Sequence, residues 1–174
     1  MSYASKNAEI LALFVAAGKD IPHEDSDMGR AVQILQTICD SQSHVIPVVD
    51  EEVAYLDDSC SEVQDSAYEF FEALEEIESH IGEDDFTLDF DGNEYRIINE
   101  SDIWEIYKDV IQNIVEDCYS DVIHLDKVPS FIAVSIDWEQ TAKNAYVDGY
   151  AHTFSTYCGD MEEESAGYYV FRTN

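Results

Sequence analysis

The side chains that could do chemistry in this sequence are carboxylates, and their spacing is unusual. Glu62, Asp65, Glu69, Glu72, Glu75, Glu76 and Glu78 succeed one another along a single stretch. Asp50, Glu51, Glu52, Asp57 and Asp58 precede them, and Glu83, Asp84, Asp85, Asp89 and Asp91 follow. A shorter run, Glu162, Glu163 and Glu164, stands near the other end. Between residues 31 and 95 the chain has 19 acids and not one Lys or Arg. Catalytic work by a carboxylate pair needs a cleft, a perturbed pKa and oriented partners, and no pair is singled out from the rest. No Gly-rich phosphate loop, GxSxG or Cys/His signature accompanies them, so the reading is a protein that is not an enzyme.

Metal chemistry is also not expected. His23, His44, His80, His124 and His152 are scattered, with no HxxxH and no Cys at zinc spacing. Thr87-x-Asp89-x-Asp91-Gly92 has the look of a calcium loop. Its twelfth position would be Ile98, which has no carboxylate, and it sits in a strand–turn–strand pattern. The expected cofactor and metal content is therefore none.

A collective role for the acids fits better. Ordinary surface helices interleave Lys with Glu at i,i+4 because such pairs stabilise them. Here Asp65/Glu69, Glu69/Glu72 and Glu72/Glu76 place like charges at those distances. The seven acids from Glu62 to Glu78 would occupy roughly 24 Å of helix axis, or one charge per about 4 Å. One strand of B-DNA carries a phosphate every ~3.4 Å. The spacing thus predicts phosphate mimicry toward a protein with a basic DNA-binding groove. Binding would be shared by all these acids, Glu162–Glu164 assisting.

The balance of charge agrees. With 39 acids against 8 bases, the formal net charge is −31 at pH 7. Such a field repels nucleic acid and anionic membranes, attracts basic proteins, and weakens the compact state by self-repulsion. Direct nucleic-acid binding is excluded further because the aromatics have no Lys or Arg around them for base stacking. An acidic disordered tail is excluded too, because 45% of the residues are hydrophobic and 12% aromatic. The N-terminal segment has no basic region followed by a long apolar run, and no stretch of about 18 apolar residues occurs. The expected location is the cytoplasm of a bacterial host, with Cys39, Cys60, Cys118 and Cys158 reduced and buried in the core.

Several elements must position these acids. Residues 2–17 are expected as a helix ended by Gly18. A second helix runs from about Asp27 to Asp40, capped by Ser26 or Asp27. Helical periodicity spans residues 50–80, with Val63, Ala67, Phe70, Phe71, Leu74, Ile77 and Ile81 as its apolar stripe and Gly82 as its stop. Phe86, Leu88 and Phe90 alternate into an Asp91-Gly92-Asn93 turn, and residues 94–98 return as a second strand. Asn99 or Ser101 caps a helix to about Cys118. Pro129 opens a further helical stretch, Asp137 and Gln140 form a capping box, and Asp148-Gly149-Tyr150 marks a helix exit. Tyr168–Phe171 is a terminal strand. Phe70, Phe71, Trp104, Tyr107 and Trp138 lie at helical spacing and are read as core or dimer-interface residues. The fold class is α+β and helix-rich, with one central β-hairpin and a C-terminal strand. Its segments are 1–48 (helical), 49–100 (acidic helix plus hairpin) and 101–174 (helix and strand), making one or two compact units.

Residues 128–172 carry a resemblance. Pro129, Ile136-Asp137-Trp138-Glu139, Ala142, Asp148-Gly149-Tyr150 and Gly167-Tyr168-Tyr169-Val170-Phe171-Arg172 follow the pattern of the C-terminal region of ArdA-type antirestriction proteins. The resemblance covers about a quarter of the chain. It implies a mobile-element protein, often dimeric, that mimics DNA in the groove of a type I restriction–modification enzyme. The expected function is therefore antirestriction by DNA mimicry. Two alternatives stand beside it. One is inhibition of another DNA-binding effector such as a CRISPR–Cas complex. The other is an acidic binding module or chaperone for a basic protein, without imitation of DNA geometry.

Overall fold

The computed structural model describes residues 2–42, 61–119, 135–148 and 163–173, together with Lys127 and Pro129. In chain order these residues form helices α1 (Tyr3–Lys6), α2 (Ala8–Ala16), α3 (Asp27–Gln42) and α4 (Ser61–His80). Strands β1 (Asp85–Phe90) and β2 (Asn93–Asn99) follow, then α5 (Ile103–Tyr119), α6 (Trp138–Val147), β3 (Glu163–Ser165) and β4 (Tyr168–Arg172). The fold is α+β and helix-rich, with a four-stranded antiparallel sheet in the order β1-β2-β4-β3.

The helices sit on both faces of the sheet, and strand periodicity decides which residues meet which helices. Phe86, Leu88, Phe90, Tyr95, Ile97, Tyr168 and Val170 point to one face. There they join Ile10, Leu13 and Phe14 of α2, Val32, Ile34, Leu35 and Ile38 of α3, and Phe70, Leu74 and Ile77 of α4. Ile98 and Phe171 point the other way, into a smaller cluster with Tyr107, Ile111 and Ala142. Each fully buried aliphatic or aromatic side chain contributes about 1.5–3 kcal/mol relative to exposure. The larger cluster is therefore the main source of stability, and it draws on all three sequence segments.

Local chemistry sets the boundaries. The residues expected as a single first helix divide at Asn7, which is buried and whose Nδ2 donates to Tyr3 O at 2.9 Å. At Asn7 the backbone leaves the helical region, at φ −112° and ψ 23°, so α1 and α2 are separate. Ser26 caps α3 as expected, its Oγ accepting from Gly29 N at 3.0 Å. Gly29 is required there, because a Cβ would stand 2.0 Å from the His23 carbonyl oxygen. Neither Asn99 nor Ser101 caps α5. Asn99 Oδ1 instead accepts from Ser101 N at 3.0 Å in a turn, and Asp102 stands at the cap. Asp137 caps α6 through Gln140 N at 3.0 Å, while the Gln140 side chain bonds Asn144 rather than closing a capping box.

The hairpin turn places Asp91 at φ 48° and Gly92 at φ 71°. Two successive positive φ values match the twist of the flanking strands, which is why Asp-Gly stands there. β3 was not expected from the sequence. It pairs with β4 through an Ala166-Gly167 turn and forms one edge of the sheet. Of the cysteines, Cys39 is buried and Cys118 is exposed, contrary to its expected core position. Cys60 and Cys158 lie outside the described residues, as do the expected helical positions from 50 to 60 and the stretch opened by Pro129. No helix among the described residues is long and apolar enough to cross a membrane.

Candidate functional site: an acidic groove between α4 and the hairpin

α4 divides its surface by helical spacing. Phe70, Ala73, Leu74 and Ile77 recur at i, i+3, i+4 and i+7 and are buried. Phe70 and Phe90 meet edge to face with ring centroids 5.1 Å apart, which clamps the helix to the end of the hairpin. Glu69, Glu72 and Glu76 recur at i, i+3 and i+7 and share a stripe beside the buried one. Across from them is the end of the hairpin, where Phe90 packs against the helix. Between the stripe and the hairpin lies a groove lined by Glu69, Glu72, Ala73, Glu76, Asp89, Phe90, Asp91 and Gly92. Hydrophobic packing thus builds the groove, and acidic residues of both elements line it.

The expected acids do not all share this groove. Glu75 leaves the stripe and faces Lys19, whose Nζ lies 4.0 Å from its Oε1 and 4.0 Å from the Phe71 ring centre. Glu78 is half-buried. Glu83 pairs with His80 at 3.2 Å, and Asp84 is exposed at the exit of α4. Asp85 is a correction, because an internal cation neutralises it. Arg96 Nε donates to its two carboxylate oxygens at 2.9 and 3.2 Å, and Nη2 adds a bond of 2.5 Å. A two-pronged pair of this kind fixes Asp85 structurally, so it is not among the acids left without a cation.

Glu164 is exposed on β3, at the opposite sheet edge from β1. Three strand spacings, about 14 Å, separate those edges, so Glu164 is not continuous with the groove. Glu62, Asp65 and Glu163 belong to described elements, but their side chains lie outside the described set. Asp50, Glu51, Glu52, Asp57, Asp58 and Glu162 lie outside the described residues altogether.

Two features refine the sequence-based picture. Glu69, Glu72 and Glu76 alone give one charge per about 5 Å of axis at 1.5 Å per residue, sparser than a single DNA strand. Tyr68, which was not among the expected site residues, is exposed next to the stripe. Its phenol is raised above its ordinary pKa by a hydrogen bond to Glu72, then by the charges of Glu72 and Glu75. An exposed Tyr between acids at i+1 and i+4 was available to a sequence reading that weighed aromatics on the polar face. Among the described residues no cation pairs with Glu69, Glu72 or Glu76, and no group of three or more His, Cys, Asp or Glu is placed to hold a metal ion.

The expected core aromatics divide as well. Phe70 and Tyr107 are buried, Phe71 and Trp138 are partly buried, and Trp104 is 50% exposed. Compared with known proteins, the chain matches no family model, no curated protein and no solved structure.

Proposed function

We propose that the chain is a DNA-mimic inhibitor, whose acidic groove occupies the DNA-binding site of a restriction–modification enzyme. One observation carries this reading. Glu69, Glu72 and Glu76 of α4 and Asp89 and Asp91 of the hairpin line one groove in a chain of net charge −31. DNA likewise presents anions along a groove to its binding proteins. The scaffold matters as much as the charge. Helix α4 and the hairpin are locked by Phe70, Phe90 and Leu74, so the backbone positions that carry the anions are fixed before binding and only side-chain ordering is lost on association.

The test is inhibition of a purified type I restriction enzyme cleaving unmodified DNA, with an RNA-guided nuclease assayed in parallel. Inhibition should be competitive with DNA and should weaken with salt. Five phosphate-like contacts would lower affinity by up to about 500-fold between roughly 50 and 200 mM salt. The combined Glu69→Gln, Glu72→Gln and Glu76→Gln variant should inhibit less. Inhibition of the RNA-guided nuclease alone moves the target to that class. Failure to inhibit either enzyme, or inhibition indifferent to salt and to the triple variant, overturns the mimicry reading.

A further inference from the structure

Strand β1 is one end of the sheet, and the phase of its hydrogen bonds follows from the hairpin. Asn99 N donates to Asp84 O at 2.8 Å, and the pairing then runs without a break from Asp85↔Ile98 to Phe90↔Asn93. In an antiparallel pair, bonded and non-bonded positions alternate. Phe86, Leu88 and Phe90 therefore direct their backbone groups at β2. Asp85, Thr87 and Asp89 turn their N–H and C=O groups outward, at intervals of about 7 Å. Among the described residues nothing hydrogen-bonds to the outward groups of Thr87 or Asp89. Both residues are exposed, whereas Phe86, Leu88 and Phe90 are buried.

Open edges are usually blunted by Lys, Pro, a bulge or a covering segment. β1 runs six residues without Lys, Pro or a bulge, and carries acids instead. Asp85 is paired with Arg96, while Asp89 stands opposite Glu94 and has no cation partner among the described residues. The hairpin lining of the acidic groove, Asp89 to Gly92, is the end of this same strand and its turn.

We propose that the outer edge of β1 is a strand-addition site, and that its occupant is an extended, Lys- or Arg-bearing segment of a partner protein. Backbone bonds to Thr87 and Asp89 hold such a segment, and its alternate side chains select it. Antiparallel addition continues the pairing of every strand in the sheet. A residue opposite Thr87 or Asp89 then lies on their face of the sheet, so a cation there meets Asp89 and the neighbouring Glu94. A residue opposite Phe86 or Leu88 lies on the core face, where a β-branched side chain extends the apolar layer. The fitting segment thus alternates basic and β-branched residues. An acidic strand is refused by like charge, and so is a second copy, whose own β1 brings further aspartates to the contact. The site goes beyond the phosphate-mimic reading, because backbone donors and acceptors, not anion spacing, hold the partner.

A short synthetic peptide alternating Lys and Val is the probe, added to the full chain at low salt and followed by amide NMR. It should slow hydrogen exchange at Thr87 and Asp89 at least about tenfold, while Phe86 and Leu88 exchange slowly throughout. Thr87→Pro removes an outward donor and no bond to β2, as edge strands allow, and should weaken peptide binding by about tenfold or more. The same peptide N-methylated on its lysine backbone nitrogens keeps its charge and should also bind at least about tenfold more weakly. A peptide alternating Glu and Val should not bind. Equal binding by the methylated peptide, or by Thr87→Pro, means attraction by charge alone and overturns the proposal. Unchanged exchange at Thr87 and Asp89 overturns it too, as does protection that grows with protein concentration without peptide, which is edge-to-edge pairing of copies. Thr87→Pro retains every acid of the groove, so the two readings fail separately. Loss of the peptide result leaves inhibition by mimicry standing, and loss of inhibition leaves the edge site standing.

Discussion

Replacing Glu69, Glu72 and Glu76 together by Gln should stabilise the protein while weakening its action. In the helix these three carboxylates take part in three neighbouring like-charge pairs, Glu69/Glu72, Glu72/Glu75 and Glu72/Glu76, and no described cation pairs with Glu69, Glu72 or Glu76. Each such pair costs a helix about 0.2–0.5 kcal/mol, so relief of all three is worth roughly 0.6–1.5 kcal/mol at low salt. For a domain of this size 1 kcal/mol moves the melting midpoint by about 2–4 °C, which puts the expected gain near 1–6 °C. Gln keeps the side-chain length and the helix propensity of Glu, and it still accepts the Tyr68 hydrogen bond. The assay is a thermal melt by circular dichroism at about 10 mM and about 1 M salt, where the Debye length falls from ~30 to ~3 Å. The difference between variant and wild type should nearly vanish at the higher salt. Two results would refute the reasoning: a variant that melts below wild type at low salt, or a gap that does not shrink as salt rises.

Other outcomes follow from the same structure. Arg96→Ala strips the cation from a carboxylate only 31% exposed, so it should destabilise by about 1–3 kcal/mol in denaturant melts, whereas Asp85→Asn should cost less. Burial pushes the Cys39 thiol up to about 12, so a thiol reagent at pH 8 should label Cys118 quickly and leave Cys39 unmodified until the protein unfolds. The same burial pushes the Tyr107 phenol up to about 12 from 10.0. Both groups ionise more readily in the unfolded chain. Their contribution is complete below the unfolded values near 9 and 10 and is lost as pH rises toward 12, so the melting midpoint should fall steadily over that window. Gly92→Ala should cost about 1 kcal/mol through its positive φ alone, since nothing lies within 4 Å of the added carbon, and a urea melt would read it.

Elements with strong local signals were legible in the sequence. The alternation of Phe86, Leu88 and Phe90 into Asp91-Gly92 specifies the hairpin, and the apolar spacing from Ile103 onward specifies α5, because period and turn chemistry act within a few residues. Tyr168–Phe171 was legible as a strand, but its place between β2 and β3 was not, because strand order depends on pairing between distant segments. β3 escaped notice because three residues, two of them Glu, carry no strand periodicity of their own and depend on β4 to be extended. The candidate site was half legible. Sequence shows that acids crowd α4, but only packing shows that Glu75 turns to Lys19, that Arg96 claims Asp85, and that the hairpin end bearing Asp89 and Asp91 lies beside the α4 stripe. Each of those facts depends on where a second element lies.

The 1-2-4-3 strand order leaves the β1–β2 hairpin waiting for a partner from far along the chain. Arg172 on β4 reaches Asn93 on β2 across 79 positions, and Tyr168 receives the Gly82 N–H across 86. Whenever β4 is undocked, β2 is an open, apolar edge of the kind that recruits other chains. Mutual repulsion between nascent chains, each strongly anionic around that edge, then works as a gatekeeper against aggregation. The electrostatic burden carried by the native state would thereby protect the molecule at the moment when its sheet is least complete.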